Sequence, residues 1–87
     1  MYFVALIKFK KKPTMAFLKE TQKLIDADTK EGFKFHGIYW TLGKFDAVAV
    51  YEAPSEKIAM KAAIVRADLM DIETLVAVPR EEVKYLV

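Results

Sequence analysis

The sequence predicts an α+β fold in which a four-stranded antiparallel sheet carries two helices on one face. Segments rich in β-branched and aromatic residues alternate with segments of helical periodicity in the order βαββαβ. Right-handed crossovers fold a chain of this order into a ferredoxin-like sandwich with strand order 4-1-3-2. The 87 residues are enough for one domain, predicted over 1–87.

The first half of the chain supplies a strand and a long helix. Tyr2–Phe9 is rich in aromatic and β-branched residues and predicts the first strand. Thr14, directly after Pro13, is predicted to cap the N-terminus of the first helix. Gly32 is predicted to end that helix, because a left-handed backbone conformation is easiest for glycine.

The second half is predicted to contain a hairpin, a second helix and a last strand. A turn at Gly43-Lys44 separates two strands, and Ser55, directly after Pro54, is predicted to cap the second helix. Pro79 ends the last strand, and the tail after it has apolar residues at helical spacing. The three strands are predicted over 33–42, 45–53 and 70–78.

The first three strands are apolar on both faces. Tyr2, Val4 and Leu6 alternate with Phe3, Ala5, Ile7 and Phe9 in the first strand, and the third strand is similar. A sheet with one face in water alternates apolar with polar residues instead. Two helices cover one face only, so we expect the other face to be covered by a second copy, by a ligand or by both. This predicts a homo-oligomer, at least a dimer.

The predicted hairpin brings the candidate site residues together. A two-residue turn pairs Leu42 with Phe45, Thr41 with Asp46, Trp40 with Ala47, Ile38 with Ala49 and His36 with Tyr51. Large side chains then face alanines, which leaves a hollow or interlocks with a partner. Val48 and Val50 suit the core under the helices, so the Trp40 side is assigned to the open face; a slip of one residue inverts that assignment. The candidate ligand-binding residues are Trp40, His36, Tyr51, Gly43 and Asp46.

Each of these candidates has a structural and a chemical interpretation. Asp46 is expected to accept hydrogen bonds from Thr41 or from the turn, and alternatively to hold a ligand's ammonium group or act as a general base. His36 and Tyr51 are expected to form an interface contact, and alternatively a proton-transfer pair. The candidate catalytic residues are therefore His36, Tyr51 and Asp46.

Composition excludes several classes of protein. There is no cysteine and a single histidine, so no metal site is predicted, and no glycine-rich loop predicts a cofactor. The 14 basic and 12 acidic residues nearly balance. The lysine run at 8–12 is the only hint of nucleic acid, and no nucleic-acid partner is predicted. The apolar N-terminal segment is too short to span a bilayer, so we expect no membrane partner and a soluble, cytoplasmic protein.

Residues 37–46 read Gly-Ile-Tyr-Trp-Thr-Leu-Gly-Lys-Phe-Asp, with Glu-Ala-Pro at 52–54 and Glu-Thr-Leu at 73–75. This pattern resembles the GYD domain family over the whole chain. One departure is that the tyrosine of the family's Gly-x-Tyr-Asp is Phe45 here, so any chemistry of that hydroxyl is missing. The resemblance implies a dimeric α/β-barrel type of assembly and little about activity, because the family is largely uncharacterised.

Related barrels include cofactor-free monooxygenases, isomerases and haem-using enzymes, so the fold alone does not choose an activity. The hairpin is also similar to one in the amino-acid-sensing domains of Lrp-type regulators. The leading hypothesis is an oligomeric small-ligand-binding or sensing module that needs no cofactor. Its site is expected between facing sheets or at the Gly43–Asp46 turn. The alternatives are a small cofactor-free enzyme of the monooxygenase or isomerase type, acting on an apolar molecule, and an assembly unit without a ligand.

Overall fold

Six helices and strands and a short 3₁₀ helix follow each other along residues 1–87, all of which the computed structural model describes. In chain order they are β1 Tyr2–Phe9, α1 Met15–Lys30, β2 Lys34–Trp40, β3 Ala47–Glu52, α2 Glu56–Val65, β4 Met70–Ala77 and the 3₁₀ helix Arg80–Tyr85. This is the predicted βαββαβ order with a helical turn added in the tail.

The four strands form one sheet in the order β2-β3-β1-β4. All three neighbouring pairs are antiparallel. The same order read from the other edge is 4-1-3-2, so the ferredoxin-like α+β fold and the sheet topology are confirmed. Strands β2 and β4 are the edges.

The predicted helix ends are also confirmed. Thr14 Oγ1 accepts a hydrogen bond from the Phe17 amide at 3.2 Å, and Ser55 Oγ accepts one from the Ile58 amide at 3.3 Å. Gly32 follows the end of α1 with a φ of 102°, a left-handed conformation that most side chains disfavour.

The core lies between the sheet and the two helices. Strands β1 and β3 contribute alternate residues to it, and Phe17, Ala59 and Ala62 contribute from α1 and α2. The buried core residues of the two central strands are Phe3, Ala5, Ile7, Ala47, Ala49 and Tyr51. The opposite face of the sheet has no layer of secondary structure over it.

The assignment of the hairpin side chains to the two faces was wrong. Ala47 and Ala49 point to the helices, while Val48 and Val50 lie on the open face and are only partly buried. Trp40, paired with Ala47, therefore lies on the helix side. Side-chain size did not identify the face because both faces are apolar, and aromatic side chains on the helix side pack around the alanines.

The open face remains apolar with the corrected assignment. Valine, leucine and tyrosine side chains stand on it at the centre of the sheet, and they are partly exposed. The members from β1, β3 and β4 are Tyr2, Val4, Leu6, Val48, Val50 and Leu75.

A β-bulge in β2 changes the predicted register. Trp40 pairs with Ala47 and Ile38 with Ala49, as predicted, but the pairing shifts between Phe35 and Gly37. The extra residue inverts the alternation beyond it. Phe35, not His36, therefore pairs with Tyr51.

The turn of the hairpin is longer than predicted. The strands end at Trp40 and begin again at Ala47, so no Leu42–Phe45 pair forms and the Leu42 side chain is fully exposed. Thr41 faces Asp46 as predicted, with its amide donating to the Asp46 carbonyl at 2.9 Å. The Thr41 hydroxyl donates to the Phe45 carbonyl at 2.7 Å, which closes the loop on itself.

No helix of the protein is both long and apolar enough to cross a membrane.

Candidate functional site

An open cavity of about 100 Å³ lies between the sheet and the helices. Sixteen of its twenty lining residues are hydrophobic. Ile38 and Trp40, on edge strand β2, are 42% and 53% exposed, which places them at the rim of the cavity. Apolar concave sites with a few polar groups are the usual form of small-molecule sites.

Small residues on both layers create this space. Alanines stand on the sheet side, where β1 and β3 run under the helices, and Ala62 and Ala63 stand on α2. The hollow predicted where Ile38 and Trp40 face alanines is therefore present, but on the helix side of the sheet. The alanines of the sheet are Ala5, Ala47 and Ala49.

Aromatic rings stand at both ends of the cavity, which is open to solvent at the rim formed by Ile38 and Trp40. Phe9 packs edge-on against Phe17 and Trp40, each with ring centroids 5.0 Å apart. At the other end the Tyr51 ring stacks on Phe33 at 5.1 Å and lies tilted against Phe35 at 5.7 Å. These spacings are those of favourable aromatic pairs.

A buried ion pair forms the most polar part of the wall. Arg66 Nη2 donates to Asp28 Oδ2 at 2.6 Å, and the two side chains are 11% and 10% exposed. Arg66 Nη1 also donates to the Ala62 carbonyl at 3.0 Å, which occupies an orphan carbonyl at the end of α2. The pair thus joins the last turn of α1 to the end of α2 and leaves no net charge in the cavity.

Tyr51 adds a hydroxyl to the same wall. Burial raises the pKa of its phenol above the ordinary value of 10.0, because removal from water disfavours the phenolate. The Thr74 side chain and the charge of Arg66 lower this pKa, and the charge of Asp28 raises it. At neutral pH the group is therefore a protonated hydroxyl, able to donate a hydrogen bond inside the cavity.

His36 and Tyr51 do not form the predicted pair. Because of the bulge, His36 lies on the open face, where its ring stacks on Tyr2 at 5.5 Å and its Nε2 contacts Glu52 Oε2 at 2.6 Å. Tyr51 is 5% exposed on the helix side. The sheet separates the two side chains, so a proton-transfer pair between them is ruled out by geometry.

Asp46 and Gly43 lie in the hairpin loop, away from the cavity wall. Asp46 Oδ2 accepts a hydrogen bond from the Phe9 amide at 2.8 Å, and the Asp46 amide donates to the Ile7 carbonyl at 2.8 Å. The Asp46 carboxylate therefore has a structural role, as predicted, but it binds the end of β1 and not Thr41 or the turn. Gly43 has a φ of 105°, which explains a glycine at this position.

The two charged residues of the cavity, Asp28 and Arg66, were not predicted from the sequence. Asp28 follows Phe17 and Thr21 on the apolar spacing of α1, but it was not among the candidate site residues. Arg66 gave no signal of burial in the sequence. The usable signal was an acid on the apolar face of one helix and a basic residue at the end of the other, since buried charges require partners.

Two of the lysines of the 8–12 run have partners within the chain. Lys8 Nζ donates to the Lys44 carbonyl at 3.0 Å, and Lys10 Nζ donates to the Ala67 carbonyl at 2.8 Å.

No group of three or more histidine, aspartate or glutamate side chains is placed to hold a metal ion.

Fold and cavity together define a small ferredoxin-like α+β domain with an apolar pocket between its two layers. The family model of the GYD domain matches residues 3–87, essentially the whole chain, and the protein belongs to that family. Comparison with curated proteins and with solved structures found no match.

Proposed function

We propose that this protein is a homo-oligomeric module that binds or senses a small, mostly apolar molecule in the cavity between its sheet and its helices. The observation that supports the proposal is the cavity itself, about 100 Å³ in volume, with Tyr51 and the Asp28–Arg66 pair in its wall. An apolar cavity of about 150 Å³ in another protein is known to bind benzene. The space is therefore of the order that one small ring requires.

This cavity is a different place from the two sites expected from the sequence. At the Gly43–Asp46 turn the carboxylate already accepts the Phe9 amide, so a ligand there must compete with that hydrogen bond. A site between facing sheets depends on the assembly of two copies through the open face, and it stays a prediction. A cytoplasmic location and the lack of a nucleic-acid partner stay predictions as well.

A cofactor-free enzyme is the second candidate function, because the Tyr51 phenol is a proton donor inside an apolar cavity. The same wall lacks a base that is free to take a proton. The Asp28 carboxylate is held by Arg66, and His36 lies across the sheet. We therefore place binding before catalysis.

The test is thermal stabilisation of the purified protein by a library of small metabolites. A ligand present at 100 times its dissociation constant stabilises the folded state by ~2.7 kcal/mol, which a melting experiment detects. Ala63→Leu places a larger side chain in the cavity and is expected to remove the stabilisation. Ala16→Leu makes the same change on an exposed position of α1 and is the matched control.

Native mass spectrometry of the same samples gives the subunit number and any ligand that copurifies. If no compound stabilises the wild type, or if Ala63→Leu responds to the hits as the wild type does, the cavity is not a binding site. Turnover of a hit that is lost in Tyr51→Phe while binding is kept would favour the enzyme.

A further inference from the structure

We infer that the ligand is a neutral, single-ring aromatic compound with one hydrogen-bond-accepting oxygen, its ring between the two aromatic ends of the cavity and its oxygen on the Tyr51 hydroxyl. This inference rests on the proposed function and narrows it to a chemical class. It follows from three features of the wall: its rings, its charges and its one phenol.

The rings select an aromatic compound. Six aromatic side chains line the cavity, and alanines on the sheet and on α2 share the wall between them with larger aliphatic side chains. The small alanine side chains leave the space between these rings unfilled. Edge-to-face or offset contacts with the surrounding rings favour an aromatic ligand over an aliphatic one of the same size. The six are Phe9, Phe17, Phe33, Phe35, Trp40 and Tyr51.

The charges select a neutral compound. Arg66 is engaged by Asp28 at 2.6 Å and by the Ala62 carbonyl at 3.0 Å, so an anion finds no free partner in the wall. A cation finds none either, because the Asp28 carboxylate is already paired. A charged ligand would lose its hydration without compensation, which is costly in an apolar site.

The phenol selects an acceptor oxygen. Tyr51 lines the cavity beside Thr74 and Arg66, and its hydroxyl stays protonated at neutral pH. It therefore donates to a carbonyl or a hydroxyl oxygen of the ligand. Such a bond is worth roughly a fivefold gain in affinity over a ring without the oxygen.

Four fluorinated probes test the class by ¹⁹F NMR titration of the full chain: 4-fluoroacetophenone, 4-fluorobenzoate, 4,4-difluorocyclohexanone and the smaller fluorobenzene. The acetophenone is expected to bind best, fluorobenzene about fivefold more weakly, and the other two at least about tenfold more weakly. Emission of Trp40, the only tryptophan, reports binding in this cavity because its ring lies at the rim.

Tyr51→Phe is expected to bind fluorobenzene as the wild type does and to lose the preference for 4-fluoroacetophenone. Equal or better binding of the benzoate or the cyclohexanone, or an unchanged preference in Tyr51→Phe, overturns the inference. If those compounds bind and Ala63→Leu blocks them, the proposed function stands and only the ligand class is wrong. If no probe and no library compound binds, both are wrong.

Discussion

Two ion pairs connect the end of α1 to α2, and they differ in burial. Asp28 and Arg66 are about one-tenth exposed, whereas Lys61 and Glu31, at 2.7 Å, are 62% and 41% exposed. Removing one partner of a buried pair leaves an uncompensated charge, but an exposed pair is screened by water. Neighbouring pairs of the same type therefore contribute very differently to stability.

Arg66→Met is expected to destabilise the protein by about 3–5 kcal/mol, because it leaves the Asp28 carboxylate buried without a partner. The double variant Asp28→Leu/Arg66→Met removes both charges and is expected to recover much of that loss. Urea unfolding measures both. Lys61→Met, which breaks the exposed pair, is the control and should cost less than about 1 kcal/mol. A double variant that is less stable than Arg66→Met would contradict the argument.

The raised pKa of Tyr51 predicts how stability changes at alkaline pH. The phenol has a higher pKa in the folded than in the unfolded chain, so between the two values the folded state binds more protons. The stabilisation is fully present below about pH 10 and is lost as the pH rises through the folded-state pKa. Tyr51→Phe should therefore lose less stability than the wild type as the pH rises above about 10.

Chemical denaturation at a series of pH values measures that difference. Other groups, above all the lysines, also titrate in this range, so only the difference between wild type and variant is informative. Tyr85→Phe, at a ring that is 77% exposed, is the matched control and should follow the wild-type curve. Parallel curves for wild type and Tyr51→Phe would show that burial does not shift this phenol.

The Asp46 carboxylate ties the end of β1 to the β2–β3 hairpin. Asp46 accepts the Phe9 amide at 2.8 Å, where β1 has run past its last partner in β3. Because hydrogen bonds to charged groups contribute about 1.5–3 kcal/mol, Asp46→Ala is expected to cost that much. Asp46→Asn keeps an acceptor oxygen and should cost less.

Amide hydrogen exchange at Phe9 tests this connection directly, since its protection should fall in Asp46→Ala. Asp71→Ala is the control, because the Asp71 side chain is 73% exposed and its only ion pair, with Lys10, is 3.5 Å long. Unchanged protection at Phe9 would mean that the carboxylate does not hold the end of β1. The acid would then be available for a ligand.

The order of the elements could be predicted from the sequence because each signal is local. Thr14 and Ser55 cap the helices they precede, and Gly32 ends α1. The bulge at His36 could not be predicted, since the extra residue depends on packing across the sheet. Because of this one extra residue in β2, the His36 and Tyr51 side chains lie on opposite faces of the sheet.

The candidate site was harder to predict than the fold. A hollow opposite Ala47 and Ala49 could be predicted from the small size of these residues. The side of the sheet on which it lies could not, because that depends on how α1 and α2 pack over the alanines. The Asp28–Arg66 contact joins residues 38 positions apart, and only Asp28, through its place in the apolar spacing of α1, gave a sequence signal of burial. Long-range pairing of this kind is set by the assembled layers, not by any local pattern.

The whole molecule has two layers and leaves one of its faces bare. Its extents are 45 × 31 × 18 Å, the smallest of which holds one sheet and one layer of helices. The radius of gyration is 13.5 Å, against about 12 Å for a compact monomer of this length. Only 15 of 87 residues are buried, so the hydrophobic core that one chain forms by itself is small. These features favour a partner on the apolar open face.

We expect the protein to sediment as a dimer or larger oligomer at micromolar concentration, with the open face inside the contact. Val50 stands at the centre of that face, paired with Val4. Val50→Lys places a charge there that the monomer exposes to water and the oligomer must bury, so this variant is expected to be monomeric. Leu42→Lys introduces the same charge at a fully exposed loop position and should keep the wild-type mass. Circular dichroism of both variants shows whether the fold is retained. A monomeric wild type, or a folded Val50→Lys variant with the wild-type mass, would place the contact elsewhere or remove it.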